Sequence, residues 1–271
     1  MTSTEARPPD DGNVGRTPAP ALSRALQILT LLERADGEPM PLGDIARGIA
    51  AAKSSTSNLC QVLEDGRMIA RTATGYVLGR RTVELGGAFI ARFNQIREFY
   101  DYCTSAPLLG HEVVQIAMLD GTDVLYLARH EGRAPMRLSA SIGSRFPAAP
   151  TAIGNALLTR MTDSEIAARF TGPQHFPRRT DHSVQTLDGL LRKVRLARKR
   201  GYATDDNEVH PGVYGLAVVL PPWASGDQAL AMGASLMAAQ ASEQFVASIV
   251  EELLLAVDRL SNPLVRRPID A

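Results

Sequence analysis

Cysteine is scarce in this chain, with two residues, Cys60 and Cys103, among 271. They form none of the paired spacings of zinc or redox motifs, which excludes a disulfide scaffold and reads as reduced thiols in a cytoplasm, Cys60 packing inward. No apolar run approaches the roughly 18 residues that a membrane span needs. The opening MTSTEARPPDDGNVGRTPAP lacks the apolar core of a signal peptide and reads as a disordered arm over residues 1–20. Net charge is missing too, since 29 Lys+Arg balance 29 Asp+Glu. Gly-x-Ser-x-Gly, Gly-x-x-x-x-Gly-Lys-Ser/Thr and Gly-x-Gly-x-x-Gly are all absent, so neither catalysis nor a cofactor is expected. What remains is an ordinary globular composition, 45% hydrophobic and 5% aromatic, and a length that allows two domains.

The stretch Pro41 to Leu78 is the most informative part of what is there. Thr56, Leu59, Cys60 and Leu63 recur at the spacing that buries one face of a helix, leaving Lys53, Ser54, Ser57, Asn58 and Gln61 on the other. Hydroxyls, amides and a cation on an exposed face suit phosphates and the base edges of a major groove. Before it, Pro41 sits where a first turn tolerates proline, and Leu42, Ile45, Ala46 and Ile49 give a second stripe. Ala50 to Ala52 form the turn, where many helix-turn-helix units place a left-handed glycine and this chain has alanine. Met68, Ala70 and Thr72, then Thr74 to Leu78, read as two strands of a small wing. Leu22, Ala25, Leu26, Leu29 and Leu32 predict a further helix ending at Asp36-Gly37. From 40 to 81 there are six basic residues (Arg47, Lys53, Arg67, Arg71, Arg80, Arg81) against three acidic ones (Asp44, Glu64, Asp65), a sign that suits a polyanion. Two helices and a short turn also occur in enzymes and interaction modules, so the pattern alone leaves those readings open.

These residues resemble the IclR-type bacterial transcriptional regulators over nearly the whole chain. The resemblance rests on Leu22-Ser23-Arg24-Ala25-Leu26, the helix start Lys53-Ser54-Ser55-Thr56, Arg137-Leu138-Ser139 with Gly143, and the run Ala152 to Leu158. Arg200-Gly201-Tyr202, Asp205-Asp206 and Glu208 to Gly212 complete it. It implies a mixed α/β (α+β) chain: an N-terminal winged helix-turn-helix over 21–81, a linker helix over 82–97, a C-terminal GAF-like effector-binding domain over 98–261 and a tail over 262–271. Thr82 to Arg97 has helical spacing with Gly86-Gly87 as a soft point. On its residues alone it is equally the last helix of the winged unit, while in IclR-like proteins this segment helps pair winged units. The implied partners are therefore double-stranded DNA with related half-sites, a small-molecule effector and a second copy, as a homodimer or homotetramer. Arg24 and Lys53 are expected to anchor phosphates, Ser54, Ser57, Asn58 and Gln61 to touch bases with Ser55 also among the DNA-binding residues, and the wing residues Thr74 and Tyr76 to brace the DNA backbone or minor groove.

In the second half, Val113 to Leu119, Val124 to Leu127 and Met136 to Ser141 read as strands, Thr151 to Arg160 and Leu187 to Arg200 as helices. Val213 to Leu220 and Ala229 to Met237 are strands again, and Phe245 to Leu260 closes as a helix. Asp205-Asp206-Asn207-Glu208-Val209-His210 is the one dense polar cluster; it suits a pocket rim or solvated loop, and no second cluster with ligand spacing makes it a metal site. The basic run from Arg192 to Arg200 interleaves with Leu187, Leu190, Leu191 and Val194, so it reads as the solvated face of an amphipathic helix. The resemblance places effector contacts at Ala152 and Ile153 (backbone amides), Asp205, Val213, Gly215, Ala231 and Gly233. Gly215, Ala231 and Gly233 stand where relatives carry a cysteine and two serines, which predicts a larger or more apolar effector, aromatic or amide-bearing, using the room left by the small residues. The alternative is a GAF-like binding or catalytic protein whose winged unit only dimerises.

Overall fold

Pro20 opens helix α1 (Pro20–Arg34), its fixed φ and missing N–H suiting a first helical turn. The computed structural model describes residues 19–91, 93–132, 140–223 and 226–261. The expected third strand at Met136 to Ser141, most of the N-terminal arm and the tail therefore fall largely or wholly outside the described residues. Backbone contacts divide the chain into two units, with the boundary between Ala91 and residue 92.

In the first unit, α1 is followed by α2 (Leu42–Gly48), α3 (Lys53–Asp65), a hairpin of β1 (Ile69–Arg71) and β2 (Tyr76–Leu78), and α4 (Arg81–Ile90). Asp36 and Gly37, both at positive φ, reverse the chain after α1. Ile28, Leu32, Ile45, Ile49, Cys60, Ile69 and Tyr76 make the core. The buried stripe of α1 agrees with the predicted one at Leu32 and Leu29 but differs at Ile28, which points inward, and at Leu22 and Leu26, which are 61% and 57% exposed. Both stripes have helical spacing, and only the direction from which α2 and α3 pack selects between them. Thr56 is fully buried on α3 and donates its hydroxyl proton to the Ala52 carbonyl at 3.0 Å, which satisfies a polar atom in an apolar core. Helix α4 runs unbroken through Gly86-Gly87. The expected single linker helix is instead two, α4 ending at Ile90 and the next helix beginning at Asn94.

The second unit begins with α5 (Asn94–Ser105) and is built on a six-stranded antiparallel sheet in the order β5-β4-β3-β8-β7-β6. Its strands are β3 (Val113–Asp120), β4 (Asp123–His130), β5 (Arg145–Pro147), β6 (Ala203–Asp206), β7 (Val213–Leu220) and β8 (Leu230–Met237). Helices α6 (Ala152–Leu158), α7 (Asp163–Arg169) and α8 (Leu187–Arg200) share one core with Ala117, Tyr126, Ala217 and Ala231. Helix α9 (Glu243–Arg259) buries Ile249, Leu253 and Ala256 apart from that core, beside α5. Tyr102 of α5 donates to the Glu252 carbonyl at 2.7 Å, and the Glu252 carboxylate accepts from the Leu108 and Leu109 amides. Strands β5 and β6 and helix α7 are too short to stand out as periodic segments. The basic run of α8 is a paired, solvated face: Arg195 and Arg198 both bind Asp163, and Arg192 binds Asp188.

The turn between α2 and α3 carries a local cost. Ala50 sits at φ 49°, the left-handed region where a Cβ crowds the following carbonyl, for roughly 1 kcal/mol. Its side chain is exposed, so glycine loses no packing there. Ala50→Gly is expected to hold or raise stability by up to about 1 kcal/mol, read from the thermal midpoint; a clear fall would show that the alanine is not strained.

Candidate nucleic-acid interface and ligand cavity

Helix α3 begins at Lys53 with no side-chain cap from Ala52, so its first amides stay available to an anion. Lys53, Ser54, Ser55, Asn58 and Gln61 are exposed on this helix and Ser57 is half-buried, while Thr56 and Cys60 hold the opposite face in the core. Gln61 donates its amide to Asp65 at 2.9 Å, which leaves its oxygen to accept. Arg24 is exposed on α1, and Thr74 is exposed in the turn of the wing. That turn is tied by Thr72, whose hydroxyl oxygen accepts from the Gly75 amide at 3.1 Å.

Tyr76 must be taken off the contact surface: it is 4% exposed and belongs to the core of the winged unit. Its aromatic ring supplies a platform instead, with the Arg71 guanidinium 4.9 Å above the centroid and within ion-pair reach of Glu64. Arg71 is thus the wing cation that the alternation of the strand concealed. In β1 it stands opposite Tyr76, a pairing visible only once the register Arg71↔Tyr76 is formed.

In the second unit a cavity of about 50 Å³ lies between α6 and the sheet, room for a few water molecules. Ala152, Ile153, Asp205, Val213, Gly215 and Gly233 all line it, as expected. Ala231 does not; it packs in the core beneath α6, and the inward residue two places beyond Gly233, Ser235, faces the cavity. Ser235 sits directly opposite Gly215 across the β7–β8 pair. Residues 231, 233 and 235 alternate onto one face, so sequence could supply the face but not the distance along it. Gln115, Tyr126, Phe146, Thr151 and His210 complete the polar and aromatic walls.

The small residues leave less room than the sequence suggests. A Cβ on Gly233 would lie 2.7 Å from Ile153 Cγ1, and one on Gly215 would lie 3.2 Å from Asp205 Cβ and 3.3 Å from Ala152 Cβ. Neighbours already fill the space on which the expectation of a larger effector rested.

The dense polar cluster resolves into separate tasks. Asp206 is exposed, and Asp205 is buried in the cavity wall with Oδ1 accepting from the Glu208 amide at 2.7 Å. Glu208 pairs with Lys193 and accepts from the Val184 amide at 3.1 Å. Thr180 and Ser183 donate to the carbonyls of Asn207 and Glu208, fastening this loop to the segment before α8. Among the described residues no three His, Cys, Asp or Glu side chains converge as metal ligands. His210 Nε2 is buried without a hydrogen-bond partner, and its ring meets Phe146 edge-on at 6.1 Å. Burial, followed by the charge of Arg179, pushes His210 below the usual imidazole range, so it is neutral at pH 7. Arg179 itself lies 4.7 Å over the Phe146 ring.

Burial pushes Asp205 up to about 7, the Glu208 amide and Lys193 working against it. A carboxyl whose folded pKa exceeds its unfolded one costs stability once the unfolded chain ionises first, so the cost grows from about pH 4 and is complete above about pH 7. Asp205→Asn keeps the accepting oxygen and removes the charge. Its stability, read from the thermal midpoint, is expected to match that of the unaltered protein near pH 4 and to exceed it at pH 8 by on the order of a few kcal/mol. A difference independent of pH would refute the buried-charge assignment.

Comparison with known proteins agrees with this architecture. Residues 21–73 match the profile described as the IclR helix-turn-helix domain, and residues 93–262 match the profile of the bacterial transcriptional regulator IclR C-terminal domain. The HTH-type transcriptional regulator XynR of Escherichia coli is 26% identical over 247 residues, 90% of this chain and 96% of that protein. The crystal structure of the Agrobacterium tumefaciens repressor BlcR is 26% identical, with TM-score 0.59, covering 93% of this chain and 99% of the other. An IclR homologue from Microbacterium hydrocarbonoxydans, solved with 4-hydroxybenzoate, superimposes with TM-score 0.77 at 21% identity, covering 89% and 97%; at that identity it speaks for the fold.

Proposed function

Because the chain belongs to the IclR family of transcriptional regulators, with a DNA-binding winged unit and an effector-binding C-terminal domain, we propose that it is a cytoplasmic homodimer, or a homotetramer built from two such dimers, acting by binding and not by catalysis. Two copies of α3 enter successive major grooves of an operator with related half-sites, and an effector in the cavity between α6 and the sheet changes how they are held.

The observation that carries this reading is the division of α3 into a buried face of Thr56 and Cys60 and an exposed face of Lys53, Ser54, Ser55, Asn58 and Gln61. Lys53 and the uncapped amides beside it suit phosphates, as does Arg24 on α1. Asn58 and Gln61, a turn further on, carry the amide groups that discriminate base edges, with the half-buried Ser57 beside them. Arg71 replaces Tyr76 as the wing contact alongside Thr74. Pairing is supported by apolar side chains of the winged unit that stand in solvent: Leu22 and Leu26 on α1, and Val83, 76% exposed, with Leu85 on α4.

Selection of bound fragments from random DNA at two salt concentrations tests the reading, and a two-fold motif is the expected product. On that motif, Lys53→Ala should weaken binding to all sequences alike and lower the salt slope by about one. Asn58→Ala should cost about 1–3 kcal/mol on the matched site and little on scrambled DNA. Identical behaviour of the two variants would remove the division of roles. The double variant Leu26→Asp, Val83→Asp should shift the molar mass measured by light scattering toward the monomer and abolish two-fold site recognition; an unchanged mass would place the dimer contact elsewhere.

A further inference from the structure

We propose that Ile153 sets the size limit of the effector: its side chain occupies the part of the cavity that Gly233 leaves open, so the ligand is a compact, hydrogen-bonding molecule of a few non-hydrogen atoms seated between Asp205 and His210. The inference rests on the effector-pocket reading above and gives that pocket a size cut-off.

The geometry is specific to this pair of residues. A Cβ on Gly233 would fall 2.7 Å from Ile153 Cγ1 and 2.9 Å from Cδ1, closer than non-bonded carbons approach. Ile153 thus stands where a side chain on β8 would otherwise be. It cannot yield easily, because a β-branched side chain in a helix has one strongly preferred rotamer. The backbone beneath it is held as well. Thr151 accepts from the Gly154 amide at 3.0 Å, and Asn155 donates to the carbonyls of Ala149 at 2.8 Å and Thr151 at 2.7 Å. Rolling α6 toward the preceding loop is blocked where Gly154 meets Ala148, since a Cβ there would lie 2.2 Å from the Ala148 carbonyl oxygen.

Across the cavity the rings of Tyr126 and Phe146 pack edge to face at 5.9 Å and form a wall of fixed shape. About 50 Å³ is enclosed between these boundaries, well short of the roughly 150 Å³ of an apolar cavity that holds benzene. The remaining space has polar ends. Asp205 already receives the Glu208 amide on Oδ1, whereas the buried His210 Nε2 has no partner, so a ligand that reaches His210 from beside Asp205 satisfies an unpaired nitrogen of the wall.

Isothermal titration of the full-length protein with two compact probes, pyruvate and lactamide, and two ring probes, benzoate and benzamide, tests the limit. At least one compact probe should bind the unaltered protein, and neither ring probe should. Ile153→Ala, and to a smaller degree the milder Ile153→Val, should tighten a ring probe at least tenfold relative to the compact one. Ring binding to the unaltered protein as tight as compact binding would overturn the size limit alone. So would a compact-to-ring ratio unmoved by either variant. Failure of all four probes on every variant, with DNA binding intact, would overturn the pocket reading together with the limit. Thermal midpoints check the packing separately. Gly233→Ala should lower the midpoint when Ile153 is present and leave it unchanged in the Ile153→Ala background, and equal losses in both would refute the steric pairing.

Discussion

Helix α6 lies so close to the sheet that its tightest contacts are made at alanine and glycine. Ala152 faces Gly215, Ile153 faces Gly233, Gly154 meets the backbone of Ala148, and Ala156 joins Ala217 and Ala231 in the same core. Such an approach gains dispersion contacts at short range but tolerates no extra methyl group, since a packed interior has no slack to absorb it. The cavity is what remains where this contact ends. Its volume and the burial of Asp205 in its wall follow from how near the helix sits.

A second constraint acts on the loop after β6. Asn207 adopts a left-handed backbone conformation and accepts from the Gly212 amide, so the chain turns back sharply between Asp206 and Val213. Lys193, Thr180 and Ser183 then clamp Glu208 and its carbonyl. This clamp keeps Asp205 and His210 on the same side of the turn. The Lys193–Glu208 pair, with Glu208 buried and Lys193 half-buried, gives the loop a defined position more than it adds net stability, since desolvation of the carboxylate offsets much of the attraction.

The winged unit solves a simpler problem. Three helices and a hairpin must bury a few large side chains while leaving one face of α3 polar and uncovered. Thr56 and Cys60 do this because they are small enough to let α3 lie close, and Thr56 satisfies its hydroxyl within its own helix. Arg71 over Tyr76 shows the same economy at the wing, where a buried ring supports an exposed cation.

Much of this was legible in the amino-acid sequence. Helical periodicity located α3 and its exposed face, because 3.6-residue spacing is a local property, and the long strands β7 and β8 were visible as apolar runs bounded by turns. Six of the seven positions that the family resemblance gave as effector contacts line the cavity between α6 and the sheet. Contacts between elements were not legible. Whether Leu26 or Ile28 of α1 points inward depends on where α2 and α3 lie, and whether Ala231 or Ser235 faces the cavity depends on the β7–β8 register. Tyr76 has the strand alternation of a wing residue, yet the neighbouring helices bury it. Glycine at 233 suggested open space until Ile153, eighty positions away along the chain, was seen to fill it. The sequence by itself determined the longer helices and strands, in their order, and the polar face of α3, all set by short-range periodicity. Tertiary structure alone decided the shape and charge state of the cavity, because volume and desolvation depend on which distant side chains come together.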